Sequence, residues 1–82
     1  LVVVSAGFDA HAADPLASCR VSEAGFAAMA WRALDLADET AGGRLVAILE
    51  GGYDAPALAR SVCAVLRALE REDRDRPRVA PP

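Results

Sequence analysis

The chain has 82 residues, with 9 basic and 12 acidic side chains and a net charge of −3. All nine basic residues are arginines scattered along the chain, so there is no basic face of the kind that nucleic acid requires. Eighty-two residues allow one small domain at most.

Leu1 to Val4 are uniformly apolar and pass into Ser5-Ala6-Gly7. That pattern predicts a strand buried on both faces, as in parallel sheets covered by helices. The run is too short to span a bilayer and has no basic flank, so neither a membrane partner nor a targeting signal is read, and a cytoplasmic location is the default expectation. Past the strand comes a loop with two carboxylates, Asp9 and Asp14, and His11, the single histidine. Residues just beyond the carboxyl ends of parallel strands are the ones that face ligands.

Leu16 to Val21 are expected to form an irregular surface segment that leads to a helix start. Ser22 is a suitable N-cap, with Glu23 in the first turn where the helix dipole favours negative charge. Phe26, Met29, Ala30, Ala33, Leu34 and Ala37 then recur at helical spacing, opposite Arg32, Asp35, Asp38 and Glu39. Trp31 falls off the centre of this stripe and is expected to pack against protein beyond these residues. Gly42-Gly43 should end the helix.

Leu45 to Leu49 form a second apolar run that breaks at Glu50-Gly51-Gly52-Tyr53-Asp54. The glycines permit positive φ or a close approach of backbone to a ligand. Asp54 can cap the next helix, with Pro56 tolerated in its first turn. Leu58, Val62, Val65, Leu66 and Leu69 should make its buried stripe, with Cys63 and Ala64 among them, while Arg60, Arg67 and Arg71 face solvent. A charged, proline-containing tail at residues 73–82 is expected to be disordered.

The order is therefore β-α-β-α over residues 1–72. A two-stranded parallel sheet leaves two open edges, and the first residue lies inside a strand, so the chain reads as a carboxy-terminal portion of a larger protein. Cys19 and Cys63 form no C-x-x-C pair and are read as reduced thiols rather than a disulfide or zinc ribbon.

Walker, dinucleotide-binding, H-E-x-x-H and nucleophile-elbow motifs are all absent from the sequence. What remains is ambiguous residue by residue. Asp14 before Pro15 is either a turn former or a metal or catalytic carboxylate. Asp9 is expected to brace the loop by accepting backbone N–H bonds; His11 is either a ligand or, as a lone loop histidine more often is, bonded locally or facing solvent. Tyr53 is either a packing aromatic or a phenol placed to stabilise an oxyanion. Glu50 braces its loop as readily as it does anything else.

Taken together, Ser5-Ala6-Gly7-Phe8-Asp9-Ala10-His11, Asp14-Pro15-Leu16, Ser22 to Phe26 and Leu49-Glu50-Gly51-Gly52-Tyr53-Asp54 closely resemble the carboxy-terminal third of the histone deacetylase and acetylpolyamine amidohydrolase superfamily. The likeness runs from Leu1 to about Leu69 and is nearest to the class II and bacterial branches. It implies a piece of a three-layer, parallel-sheet α/β fold of the arginase/deacetylase type. It also implies a Zn2+ cofactor with Asp14 as a ligand, Tyr53 as the catalytic phenol, and Asp9, Gly51 and Gly52 as loop support. The implied substrates are acetylated lysine or polyamine, hydrolysed to acetate and amine. In the family the histidine pair and an Asp-x-His motif lie nearer the amino terminus. The 82 residues lack both and should be inactive without the remainder of the catalytic domain. Two other readings stay open: a non-catalytic remnant of such an enzyme, and a phosphate- or nucleotide-binding module built on Gly51-Gly52.

Overall fold

The computed structural model describes residues 1–15 and 19–71; the segment at 16–18 and the tail expectation for 73–82 lie outside them. Four elements follow in order: β1 (Val2–Ala6), α1 (Glu23–Thr40), β2 (Leu45–Leu49) and α2 (Ala55–Leu69). The strands are parallel and paired from Val2 with Leu45 to Ala6 with Leu49, the expected α/β arrangement. No helix among the described residues is long and apolar enough to cross a membrane.

The helix ends form where the sequence places their caps. Ser22 Oγ accepts the Gly25 N–H at 3.1 Å, and Asp54 Oδ2 accepts the Ala57 N–H at 3.0 Å, each satisfying an amide that the helix leaves unpaired. Pro56 lies at the start of α2, where its missing N–H costs nothing. At the far end of α1 the chain leaves the helix through Gly42 and Gly43, both at positive φ, and the Gly43 N–H donates to Ala37 O at 2.9 Å.

The two helices lie side by side and run the same way. Glu23 at the start of α1 pairs with Arg60 near the start of α2, and Asp38 near the end of α1 takes both guanidinium nitrogens of Arg71, just past α2, at 2.9 and 2.8 Å. Between these pairs the helices pack through Trp31, Leu34 and Ala68, with Ala30, Leu45 and Leu69 against them. Burying a leucine such as Leu34 contributes roughly 1.5–3 kcal/mol.

Three packing expectations are corrected. Trp31 is only 4% exposed and belongs to the core, because the α1 face that meets α2 is rotated from the stripe read in the sequence; Met29, in that stripe, is 52% exposed. On α2 the buried residues are Ala57, Ser61 and Ala68, whose small side chains let the helix approach α1, whereas Leu66 and Cys63 are exposed. The strands cover one face only. Val4, Ala6, Leu45 and Ala47 line an apolar cleft of about 140 Å³ beneath the helices, while Val3, Val46 and Ile48 are open on the opposite face. Neither cysteine forms a disulfide among the described residues.

Candidate functional site at the carboxyl ends of the strands

The strand ladder does not stop where the strands do. Glu50 N–H donates to Ala6 O at 3.0 Å and Phe8 N–H to Gly51 O at 2.8 Å, so the two loops leave the sheet as neighbours. The first loop closes on itself through His11 N–H to Phe8 O at 3.2 Å and Asp14 N–H to His11 O at 3.0 Å. Its base is pinned where Ala12 N–H meets Val21 O and Val21 N–H meets Ala10 O.

Phe8 anchors this loop from below. Its ring is 5% exposed and meets Phe26 edge-on at 4.9 Å between centroids. His11 stacks on the same Phe26 ring at 6.3 Å and is 6% exposed. Its Nδ1 accepts the Ala13 N–H at 2.9 Å, which fixes the tautomer with the proton on Nε2. Nε2 stands 3.1 Å from Glu23 Oε2, near enough for attraction although not aligned as a hydrogen bond. The local role read for His11 is the one found, and it extends to a contact that the sequence did not signal.

Glu23 thereby joins three parts of the molecule: the loop through His11, its own helix start, and α2 through Arg60. The Arg60 guanidinium first, then the backbone N–H at the start of α1, then His11 hold its carboxyl down to about 2. A carboxyl depressed in the folded state stabilises above its unfolded value, near 4.5, and that contribution disappears as pH falls toward 2. Thermal melts of the full-length protein between pH 5 and pH 2, a range set by those two values, should lose part of their acid sensitivity in Glu23→Gln. An unchanged slope against pH would count against the network. The effect is small because the Glu23 side chain is one-third exposed.

The two carboxylates of the first loop sit in different surroundings. Asp14 is 7% exposed, and its Oδ2 accepts the backbone N–H of Tyr53 at 2.7 Å, across 39 residues of sequence. Asp9 is half-buried and lies between the loops: a Cβ on Gly51 would stand 3.2 Å from its Cγ and Oδ2, and one on Gly7 would stand 3.4 Å from its Oδ1. The Asp9 side chain thus stands against the backbone of both loops. It rests against bare glycine backbone, in a space that exists because residue 51 has no side chain.

Gly52 is the other glycine the site requires. Its φ is +146°, and a Cβ there would come within 2.8 Å of Leu58 Cδ1 and 3.4 Å of Phe8 Cβ. The close approach carries the chain from β2 to Tyr53, whose backbone is held by Asp14 while its side chain is 59% exposed. The first loop and the Gly-Gly-Tyr loop therefore meet, as the sequence led one to expect. Among the described residues no three histidine, cysteine or acidic side chains gather as a metal cluster.

The residues that sequence reasoning missed are Glu23 and Arg60. Their partnership with His11 crosses two elements, and no local spacing announces it.

Comparison with known proteins agrees with this arrangement. Residues 1–69 match the model of the histone deacetylase domain. Histone deacetylase 14, chloroplastic, of Arabidopsis thaliana is 45% identical over 73 residues, which cover 89% of this chain and 17% of that protein. A probable deacetylase of Methanothermobacter thermautotrophicus is 43% identical over 81 residues, covering 99% and 23%. Among solved structures, the crystal structure of the HDA15 HD domain superposes with a TM-score of 0.76 at 42% identity, covering 88% of this chain and 19% of that one. The chain thus spans less than a quarter of each of these relatives. With the matched region running through both loops and all four elements, the chain belongs to the histone deacetylase domain family.

Proposed function

We propose that the full-length protein is a zinc-dependent hydrolase of N-acetyl amides, on acetyl-lysine or an acetylated polyamine, and that this segment brings Tyr53 and one carboxylate to its active site. The observation that carries the reading is the meeting of the two loops at Asp14 Oδ2 and Tyr53 N–H, within the region that matches the family. The relatives' names include both deacetylase and, in Pseudomonas aeruginosa, histone deacetylase-like amidohydrolase, at 51% identity over 53 residues.

Carboxylate oxygens suit zinc, and the described residues fit a share of its ligand set and no more. In this reading Asp14 keeps the metal role: its carboxylate is 7% exposed and stands where the two loops meet, while Asp9 lies behind it against Gly51 as loop support. The remaining ligands and the general base come from the rest of the catalytic domain. When bound, the zinc supplies a Lewis acid for the amide carbonyl and a water of lowered pKa. The Tyr53 O–H donates to the carbonyl oxygen as negative charge grows there, a stabilisation absent from the ground state. Gly51 and Gly52 let the loop run close enough to Asp9 and Phe8 for both groups to serve one bond.

A phosphate site at Gly51-Gly52 is disfavoured by the same geometry. Two of the nearby amides are occupied, Tyr53 N–H by Asp14 and Ala57 N–H by Asp54, and those carboxylates repel phosphate.

The test is acetate release by the full-length protein from an acetyl-lysine peptide and from an acetylated polyamine. Chelation should abolish release and added Zn2+ should restore it. Release that survives removal of the metal, or no release from either substrate by the zinc-loaded protein, would overturn the reading.

A further inference from the structure

We propose that His11 is the positioning residue for Asp14: it holds both amides that lead into the ligand carboxylate and ties them to the start of α1. The proposal rests on the assignment of Asp14 as a zinc ligand.

The first loop is built to aim one side chain. His11 Nδ1 accepts the Ala13 N–H at 2.9 Å and His11 O accepts the Asp14 N–H at 3.0 Å, so a single residue receives the last two amides before the carboxylate. On the other side stands Pro15, which has no N–H and narrows the backbone range open to Asp14. Asp14 is thus constrained from both directions along the chain.

An asparagine or aspartate at residue 11 could accept the amide two residues on, as an Asx turn does. What the shorter side chain lacks is a second polar atom on its far side. The buried imidazole lies over Phe26, with ring centroids 6.3 Å apart and planes 17° from parallel, and its Nε2 stands 3.1 Å from Glu23 Oε2. Among the described residues Nε2 has no aligned hydrogen-bond acceptor, so the attraction to Glu23 is what orients that end of the ring. Glu23 opens α1 and is paired with Arg60 of α2, so the ring takes its position from the packed helices and passes it to the loop. A local turn has become a strut.

The strut preorganises a ligand. A carboxylate already held where a metal binds does not have to order its loop at the moment of binding. Removing a partner that orients a metal ligand costs about 10- to 100-fold in metal affinity. His11 acts one step further out, on the backbone rather than on the carboxylate, and the same range bounds its effect.

The experiment uses the full-length protein with His11→Ala, His11→Asn, Glu23→Ala and the double variant His11→Ala/Glu23→Ala. Zinc affinity is read by competition with a chelator, ligand geometry by the visible absorption of the cobalt-substituted protein, and the loop itself by amide exchange in the metal-free protein. His11→Ala should bind zinc about 10- to 100-fold more weakly, shift the cobalt bands and speed exchange at Ala13 and Asp14. His11→Asn restores an acceptor for the Ala13 N–H without reaching Glu23, and should recover part of each effect. Glu23→Ala should weaken zinc binding on its own and add nothing once His11 is alanine, because it acts through the ring. A general loss of stability moves none of the cobalt bands, which tells positioning apart from structural support.

Wild-type zinc affinity and cobalt bands in His11→Ala would overturn the proposal. An asparagine variant no better than alanine would overturn it in favour of direct ligation by the imidazole, and a Glu23→Ala loss undiminished in the double variant would overturn the tie to α1. Zinc retained in full by Asp14→Ala would instead bring down the ligand assignment, and this proposal with it. If His11→Ala does not fold, His11→Asn and Glu23→Ala decide: weaker zinc binding with shifted cobalt bands in both supports the proposal, and wild-type values in either overturn it.

Discussion

Tyr53→Phe in the full-length protein should retain its zinc and lose a hundredfold or more of its kcat, on the order of what removing one oxyanion donor costs. The substitution deletes a single oxygen. The ring is 59% exposed, so no packed cavity is created and no stability change of note is expected. The backbone contact to Asp14 is made by the amide and survives. Substrate affinity should change far less than turnover, because the O–H bond strengthens only as charge develops. Steady-state kinetics and metal analysis on the same preparation check this. A variant with wild-type kcat would show that the phenol does not act on the reacting carbonyl.

Asp14→Ala should fail in a different way, by losing the metal. Removing partners that merely orient a ligand lowers metal affinity 10- to 100-fold, so loss of a ligand itself should exceed about a hundredfold and leave the purified full-length protein zinc-poor. Turnover should collapse in proportion, and excess Zn2+ should recover part of it. Metal analysis beside steady-state kinetics checks this, and unchanged metal stoichiometry in Asp14→Ala would count against the ligand assignment.

The elements of this segment were legible because their signals are local. Ser22 and Asp54 cap the helices that follow them, Gly42 and Gly43 end α1, and the two apolar pentads pair as parallel strands. The faces were less legible. Periodicity shows where a helix is apolar, but two neighbouring stripes on α1 are both apolar, and only the approach of α2 decides that Trp31 is inside and Met29 is not. On α2 the small residues Ala57, Ser61 and Ala68 took the contact, and the larger aliphatics were left partly exposed. Ser61 shows the cost of close packing: its Oγ is fully buried with no hydrogen-bond partner among the described residues, a penalty of roughly 1–3 kcal/mol.

At the site, the two loops and the need for Gly51 and Gly52 could be read from the residues, because each loop follows a strand that is easy to recognise. That Asp14 receives the Tyr53 amide across 39 residues could not. Which carboxylate receives a distant amide depends on the height at which each loop leaves the sheet. That height is set by the Phe8 to Gly51 bond and the Phe8 and Phe26 packing, neither of which has a sequence spacing.

The paired charges at the two ends of the helices have a further consequence. Sliding α1 along α2 by one turn moves its side chains about 5.4 Å, which would part Glu23 from Arg60 and Asp38 from Arg71 in the same motion. Two widely spaced rivets thus resist translation where either alone would act as a pivot. Because the imidazole in the first loop leans on one of those rivets, a charge reversal at Asp38, at the opposite end of the helix, would be felt in that loop as a loss of alignment.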